Sequence, residues 1–222
     1  FSIVFFSQLF LGLVGFEKFL QTGHLHLPVP ALIVGGPIYR GERFFMPILF
    51  FSTILIAGPT WCSHLCYIGA WDHYASQGKK RPRFLPRWRK WSPLGTLILV
   101  AMVAILLRAF GLSSTWAVIL GASFGIIGLG IMMFWSRQTG AMAHCTAYCP
   151  IGFLATRLGK VNPFRIQIGP MCTECNACQI VCRYDALNPE DIKRRKPSSS
   201  CTLCGDCVGR CPTAQIEYRF AW

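Results

Sequence analysis

The sequence predicts a mainly α-helical membrane protein with a small cysteine-rich α+β domain at its C-terminal end. Hydrophobic residues make up 53% of the 222 residues and charged residues only 14%, whereas soluble domains average about 25% charged residues. The first part of the chain contains four apolar runs near the length of a membrane-spanning helix. The later part contains eight of the 12 cysteines, in two copies of one spacing. We therefore predict a transmembrane domain over 1–158 and a separate domain over 159–222.

The four predicted spans form two helix pairs. The first pair is Phe1–Phe16 and Phe44–Trp61, and the second is Trp91–Leu107 and Trp116–Trp135. The segment Gln21–Arg43 is also partly apolar, but prolines and glycines interrupt it. Because an interrupted segment leaves backbone groups unpaired in lipid, we expect an interfacial or re-entrant loop there rather than a further span.

Basic residues predict the orientation of these helices. Seven of them lie between the second and third spans, whereas only Arg108 lies between the third and fourth. By the positive-inside rule the basic loop is cytoplasmic, and an even number of spans brings the C-terminal domain to the same side. We therefore expect a multi-pass protein of the inner (cytoplasmic) membrane. The net charge of +13 then reflects topology and contact with anionic lipid in the bilayer, and no nucleic-acid-binding motif accompanies it.

The eight C-terminal cysteines have the spacing of a bacterial two-cluster ferredoxin. In each copy, three cysteines are separated by two residues each, and a fourth follows after three more. Three thiolates on a tight loop bind three irons of one [4Fe–4S] cluster, and the fourth ligand comes from the other copy. The predicted ligands are Cys172, Cys175, Cys178 and Cys211 for cluster 1, and Cys201, Cys204, Cys207 and Cys182 for cluster 2.

Zinc and disulfides explain this spacing less well. Structural zinc sites use pairs of cysteines and gain nothing from a third cysteine two residues further on, and disulfides need an oxidising compartment. One departure is Arg183, which follows Cys182 where Pro212 follows Cys211 in the second copy. Because proline is not a ligand, we expect cluster 2 to form, with a different local polarity.

The remaining four cysteines form two Cys-x-x-x-Cys pairs in similar segments. Cys62–Gly69 reads Cys-Ser-x-x-Cys-x-Ile-Gly, and Cys145–Gly152 reads Cys-Thr-x-x-Cys-x-Ile-Gly. Each segment follows a predicted helix pair, which indicates two parallel repeats about an axis along the membrane normal. Since cysteines four residues apart share one helix face, two facing pairs would bring four thiolates together near the cytoplasmic surface. The four are Cys62, Cys66, Cys145 and Cys149.

Three interpretations of this second set stay open. The thiolates could bind a third iron–sulfur cluster, either [4Fe–4S] or [2Fe–2S]. They could instead be redox-active thiols or bind a thiophilic metal such as copper(I) or zinc. They could also be small buried side chains that only pack at helix ends. His64 and His144 lie beside the cysteines and are weaker candidate ligands, because polar residues are common at helix ends.

The segments Trp61–Gly69 and His144–Gly152, followed by the paired C-terminal motifs, resemble the NapH–NosR–CcoG group of membrane polyferredoxins. Members of this group carry Cys-x-x-x-Cys-Pro twice. Here Cys149 is followed by Pro150, whereas Cys66 is followed by Tyr67, so the resemblance is to a divergent member. It implies a quinol-dehydrogenase-like or electron-relay subunit that serves a protein redox partner within a larger membrane complex.

Other redox cofactors find no ligands in the sequence. The predicted spans contain no histidine, no Cys-x-x-Cys-His is present, and no Gly-x-Gly-x-x-Gly follows a predicted strand. A quinone site near the outer helix ends is a weaker prediction, because isolated polar residues of this kind more often belong to a solvated loop. Those residues are Glu17, His24, His26, Tyr39, Arg40 and Glu42.

The combined interpretation is a membrane-anchored electron-transfer subunit, not an enzyme by itself, that passes single electrons between a quinol donor and a protein partner. Two alternatives come from other classes: a copper-handling or copper-reducing assembly factor, and a redox-sensing membrane regulator. The basic run Lys193–Lys196 between the two motifs fits docking of an acidic partner, contact with the lipid surface, or a solvated loop.

Overall fold

The computed structural model describes residues 29–41, 44–83 and 85–220, together with Ile3, Ser7, Phe10, Leu11 and Val14. Within these residues the chain is mostly helical, with one two-stranded sheet. The helices are α1 (Leu32–Arg40), α2 (Phe45–Ala57), α3 (Tyr67–Ser76), α4 (Ser92–Ala109), α5 (Ser114–Gly130), α6 (Pro150–Leu158), α7 (Ala177–Val181), α8 (Pro189–Lys193) and α9 (Asp206–Arg210). The strands are β1 (Phe164–Ile168) and β2 (Ile216–Phe220).

Three helical segments of the described residues are long and apolar enough to cross a membrane: Pro47–Leu65, Ser92–Ala109 and Ser114–Thr139. They correspond to the second, third and fourth predicted spans. The last is longer than predicted, because α5 continues as a π-helix over Ile131–Ser136 and ends in one further turn. The predicted first span, Phe1–Phe16, falls mostly outside the described residues, so the arrangement as two helix pairs stays a prediction.

The interrupted segment before α2 contains a short helix, α1, where the sequence predicted a loop. Its nine residues span about 14 Å, which is half of a bilayer core. Gly35 allows the close approach of α1 to α4, because a Cβ at this position would lie 3.1 Å from Val100 Cγ1. Tyr39 donates a hydrogen bond to the carbonyl oxygen of Leu112, which fixes the C-terminal end of α1 at the α4–α5 turn.

The C-terminal residues form a compact unit around the cysteine motifs. β1 lies near the start of this unit and pairs antiparallel with β2, from Phe164 opposite Phe220 to Ile168 opposite Ile216. The inward side chains of the sheet pack with residues of α7 and α8 and with several cysteines in one buried cluster. The sheet therefore joins the two ends of this unit, and the cysteine loops lie between them.

The C-terminal unit and the basic loop between α3 and α4 lie at the same end of the three apolar helices. The backbone N–H of Met142, just after the α5 segment, donates to the carbonyl oxygen of Arg183 at 2.8 Å. Asn162 donates a side-chain hydrogen bond to the carbonyl oxygen of Leu55 in α2 at 2.7 Å. These contacts seat the unit directly on the helix ends that carry the Cys-x-x-x-Cys segments.

Candidate functional site

The two Cys-x-x-x-Cys segments have the same backbone conformation. Each forms one π-helical turn, over Trp61–Leu65 and over His144–Tyr148, and the second cysteine then turns extended. The extended residues have φ −80° and ψ 118° at Cys66 and φ −71° and ψ 117° at Cys149. A helix follows each turn, α3 in the first case and α6 in the second. The sequence similarity between the segments therefore reflects one shared local structure.

A glycine closes each turn at the same position. A Cβ at Gly69 would lie 2.1 Å from the carbonyl oxygen of Cys62, and a Cβ at Gly152 would lie 2.6 Å from that of Cys145. Both distances are far below van der Waals contact, so only glycine fits. This explains the shared final residue of the two segments and shows that each π-turn folds back tightly on the start of its following helix.

The four cysteines of these turns lie close together. Burial raises the pKa of Cys145, and the neighbouring Cys149, Cys66 and Cys62 raise it further as thiolates. Burial and Cys66 likewise raise the pKa of Cys149, to about 12. Four protonated thiols are therefore the expected state at neutral pH in the absence of a positive centre. A metal or iron–sulfur group supplies the positive charge that buried thiolates need, so the residues fit such a group.

Asp72 on α3 accepts a hydrogen bond from the backbone of the four-cysteine site. The cysteine motifs of the sequence did not point to this residue. The side chain is fully buried, and its Oδ2 accepts a hydrogen bond from the backbone N–H of Cys145 at 2.9 Å. Its Oδ1 accepts from the Ser136 hydroxyl at 2.5 Å, and Ser136 Oγ accepts from the N–H of Ala143. Burial raises the pKa of Asp72 to about 6. One signal was available: Asp72 is the only acidic residue between Glu42 and Glu174.

The two ferredoxin-like motifs also repeat one backbone conformation. Glu174 and Leu203 have φ 54° and 58°, and each is the second residue after the first cysteine of its motif. A left-handed residue starts each short helix, and another follows the fourth cysteine by three positions. These further pairs are Asn176 with Gly205, and Asp185 with Ala214. The duplicated spacing in the sequence therefore corresponds to a duplicated loop structure.

The fourth cysteine of the first motif lies with the second motif. Burial raises the pKa of Cys182 to about 12, and nearby Cys204 and Cys201 contribute. The Sγ atoms of Cys182 and Cys211 accept backbone hydrogen bonds, each at 3.3 Å, from Ala186 and Gln215. Such N–H···S bonds are a means by which a protein adjusts cluster potential. This placement is the one that shared ligation requires, and the assignment of each ligand stays a prediction.

Tyr184 lies between the four-cysteine site and the second motif. Its hydroxyl donates to the carbonyl oxygen of Cys62 at 3.4 Å, and Ser63 Oγ donates to the carbonyl oxygen of Thr202 at 2.9 Å. A small cavity of about 40 Å³ is bounded in part by Cys62, Cys145, Tyr184 and Thr202. Residues of the second motif therefore contact the turn that carries Cys62 directly, through the two hydrogen bonds.

Arg183, which replaces the proline of the motif, holds the C-terminal unit in place. Its Nη1 donates to three carbonyl oxygens, those of Ser76 at 2.7 Å, Gly140 at 2.7 Å and Lys79 at 3.1 Å. These oxygens belong to the end of α3 and to the residues that follow α3 and the α5 segment. Arg183, the residue that departs from the motif, therefore links the C-terminal unit to the helical part of the chain.

A cavity of about 360 Å³ lies beside Cys149 and His144 and is lined mainly by apolar residues of α3, α5 and the chain just before α1. His144 is only 4% exposed, and its Nδ1 has no hydrogen-bond partner among the described residues. Of the six residues predicted to form a quinone site, Tyr39 and Arg40 lie at the other end of α1 from this cavity. The other four lie outside the described residues.

In the part of the chain that the structure describes, no three His, Cys, Asp or Glu side chains converge on one metal ion. The ligands of a cubane each bind a different iron and so need not converge in this way. His64 is exposed and donates to none of the cysteines; its Nδ1 lies 2.9 Å from Ser63 Oγ.

Residues 42–85 match the model of a protein family described as a 4Fe-4S binding domain. This range includes Cys62, Cys66 and Asp72, and it lies outside the eight-cysteine region. Comparison with curated proteins and with solved structures gave no significant match. The match and the 12 cysteines support an iron–sulfur cluster, and they indicate an iron–sulfur protein of electron transfer.

Proposed function

We propose that this chain is a membrane-anchored electron relay that passes single electrons from quinol to a protein redox partner through three iron–sulfur sites. The observation that carries the proposal is the packing of Cys62 and Cys145 against Tyr184 and Thr202, which puts the second motif next to the four-cysteine site. The apolar helices and the resemblance to membrane polyferredoxins support the membrane placement, with the C-terminal unit on the cytoplasmic side.

Cysteine thiolates are the ligands in this scheme. Cys62, Cys66, Cys145 and Cys149 would hold the site nearest the membrane. The C-terminal cysteines would hold the other two, as the spacing predicts. When bound, iron–sulfur clusters supply one-electron redox chemistry at potentials set by burial and hydrogen bonds. The chain contributes the N–H donors to Cys182 and Cys211 and the contact of the buried Tyr184 with Cys62.

The order of the sites follows from their surroundings. The residues that would hold cluster 2 lie nearer the four-cysteine site, whereas Cys175, a predicted ligand of cluster 1, is exposed and the nearby Met171 is 75% exposed. We infer that Cys62, Cys66, Cys145 and Cys149 would form the entry point for electrons. The exposed surface around Cys175 would then be the exit, where a protein partner would dock.

The cavity beside Cys149 is the best-supported position for quinol. It is apolar over most of its lining, and ligand pockets of this kind add a few polar groups that orient the ligand. His144, with an unpaired ring nitrogen, is such a group at the cavity wall. A quinol oxygen bound to the His144 imidazole would lie close to the four-cysteine site, because His144 directly precedes Cys145.

The first test is iron and acid-labile sulfide per chain after anaerobic purification, with EPR of the reduced protein. We expect about 12 irons for three cubanes, falling to about 8 in Cys145→Ser, and loss of one EPR signal. His64→Gln is a matched control on the equivalent turn, because His64 is exposed, and it should leave both measurements unchanged.

About 8 irons in both the unmodified chain and Cys145→Ser would confine the clusters to the C-terminal unit. Copper or zinc that binds the unmodified chain, and is lost when Cys62 or Cys145 is replaced by serine, would favour a metal-handling protein instead. The quinol step has a separate test: Ala122→Phe should fill the cavity and stop reduction of the clusters by a short-chain quinol. Gly130→Phe, where nothing lies within 4 Å of a Cβ, is its control on the same helix.

A further inference from the structure

A second large cavity, of about 630 Å³, lies where the C-terminal unit meets the end of α2. Five cationic side chains from three separate segments line it, and none of the described lining residues is acidic. The cations are Lys160, Arg165, Arg194, Arg195 and Lys196. The sequence showed only the basic run 193–196; the fold adds Lys160 and Arg165 to the same cavity.

The cations of this cavity have no carboxylate partner among the residues that the structure describes. In the described parts of the chain none of the five has a carboxylate within 4 Å, since the ion pairs there are Arg89–Asp185 and Arg219–Glu217. Two are held in position by carbonyl oxygens: Arg195 donates to Gly169 at 2.7 Å, and Arg165 donates to Lys160 at 2.8 Å. Like charges gathered without a counter-charge repel each other, so an anionic ligand would stabilise this arrangement.

The cavity lies at the level where an apolar helix ends. Pro59, part of its lining, belongs to the segment Pro47–Leu65, and Gly159 packs against it so closely that a Cβ would lie 2.6 Å from Pro59 Cδ. Val161 and Phe164, beside Lys160, are 62% and 46% exposed. A cationic pocket bordered by exposed apolar side chains at a helix end matches a phospholipid, with its phosphate in the pocket and its acyl chains beside the helix.

We propose that this cavity binds the phosphate headgroup of an anionic phospholipid and thereby fixes the C-terminal unit against the bilayer. The inference rests on the membrane placement given under the proposed function, but not on the clusters or on quinol. Thr156, Ser198 and Ser199 also line the cavity and offer hydroxyl donors to the same phosphate. The proposed ligand is therefore the phosphate ester of a lipid rather than free phosphate.

The test is native mass spectrometry of the detergent-purified full chain with phosphatidylglycerol or phosphatidylcholine as the added lipid. The test variant is Lys160→Gln/Arg194→Gln/Lys196→Gln. Its control, Lys79→Gln/Lys80→Gln/Arg81→Gln, removes the same charge from exposed residues at the same end of the molecule. We expect phosphatidylglycerol to bind the unmodified chain and the control alike, and the cavity variant roughly a hundredfold more weakly. Unchanged iron content of the cavity variant would show that its fold is intact.

Equal phosphatidylglycerol binding by all three proteins would overturn the proposal, because general surface charge would then suffice. Full displacement of the lipid by excess inorganic phosphate would make this a free-anion site and would also overturn it. Equal binding of phosphatidylglycerol and phosphatidylcholine would also count against the proposal. An acidic protein would then be the better occupant of the cavity. Release of the chain from membranes by alkaline carbonate would remove the membrane placement itself, whereas a low iron count would affect only the electron relay.

Discussion

Arg89 and Asp185 form an ion pair in which Nη2 and Oδ2 lie 2.7 Å apart, with side chains only 4% and 8% exposed. Arg89 also donates to the carbonyl oxygen of Asp185 at 3.0 Å. The pair joins the basic loop before α4 to the residue three positions after Cys182. This buried ion pair therefore links the helical part of the chain to the C-terminal unit.

Replacing one partner of this ion pair should destabilise the fold more than replacing both partners. Arg89→Met leaves a buried carboxylate without its cationic partner and should lower the free energy of unfolding by about 3 kcal/mol. Arg89→Met/Asp185→Asn removes both charges, and asparagine tolerates the left-handed φ of 51° at this position. The double variant should recover most of the loss in chemical denaturation followed by tryptophan fluorescence. A double variant no more stable than Arg89→Met would contradict this account.

Arg183→Pro restores the usual residue of the motif and should weaken docking without loss of iron. The change removes three hydrogen bonds to the carbonyl oxygens of Ser76, Lys79 and Gly140. Nη1 carries two hydrogens, so the three contacts amount to about two full hydrogen bonds. At about 1.5–3 kcal/mol for each bond from a charged donor, a loss of about 3 kcal/mol or more is expected. Faster hydrogen exchange over 76–80 and 140–142, at unchanged iron content, is the measurement. Iron loss from the C-terminal motifs would show that Arg183 serves the cluster instead.

Asp72→Ala should disable the four-cysteine site and spare the C-terminal motifs. It leaves the N–H of Cys145 and the hydroxyl of Ser136 without their acceptor, each at about 1–3 kcal/mol. We expect the loss of about four irons per chain, with the EPR signals of the ferredoxin-like motifs retained. Asp72→Asn keeps one acceptor oxygen and should lose less iron. Equal iron in Asp72→Ala and the unmodified chain would remove Asp72 from the site.

The two closing glycines should be sensitive to a single methyl group. Gly69→Ala and Gly152→Ala each place a Cβ against a backbone carbonyl oxygen, which cannot move away as a flexible side chain could. Both should displace a π-turn and lower iron content as far as Cys145→Ser does. Gly95→Ala on α4 is the matched control, since nothing lies within 4 Å of its Cβ, and it should be neutral or slightly stabilising. Normal iron in Gly152→Ala would show that the turn is more tolerant than its geometry indicates.

The sequence predicted the parts of the molecule that local spacing determines. The duplicated cysteine motifs indicated duplicated loops, and Glu174 and Leu203 show the same left-handed backbone in each. Three of the four predicted spans correspond to apolar helices, because hydrophobic runs report burial in lipid directly. The remaining predicted span, Phe1–Phe16, lies mostly outside the described residues.

What the sequence did not predict are contacts between distant residues. Asp72 meets Cys145 across 73 positions, and Arg183 meets Ser76 across 107. Arg183 stood out only as a departure from its motif and Asp72 only as an isolated acid, and neither signal indicates which distant residue it contacts. The helix α1 was also missed, because its glycines and proline indicate a loop unless the packing against α4 is known. Long-range packing decided each of these cases.

The docking by Arg183 and Asp185 makes two copies of one motif inequivalent. Their left-handed residues and short helices occur at equivalent positions, yet only the first copy has these side chains after its fourth cysteine, where the second has Pro212 and Ala214. As a result Cys182 is buried, while Cys211 is partly exposed. Two centres of identical chemical composition would thus sit in media of different polarity. Clusters held by the two motifs would then differ in potential, because the polarity around a cluster helps to set its potential.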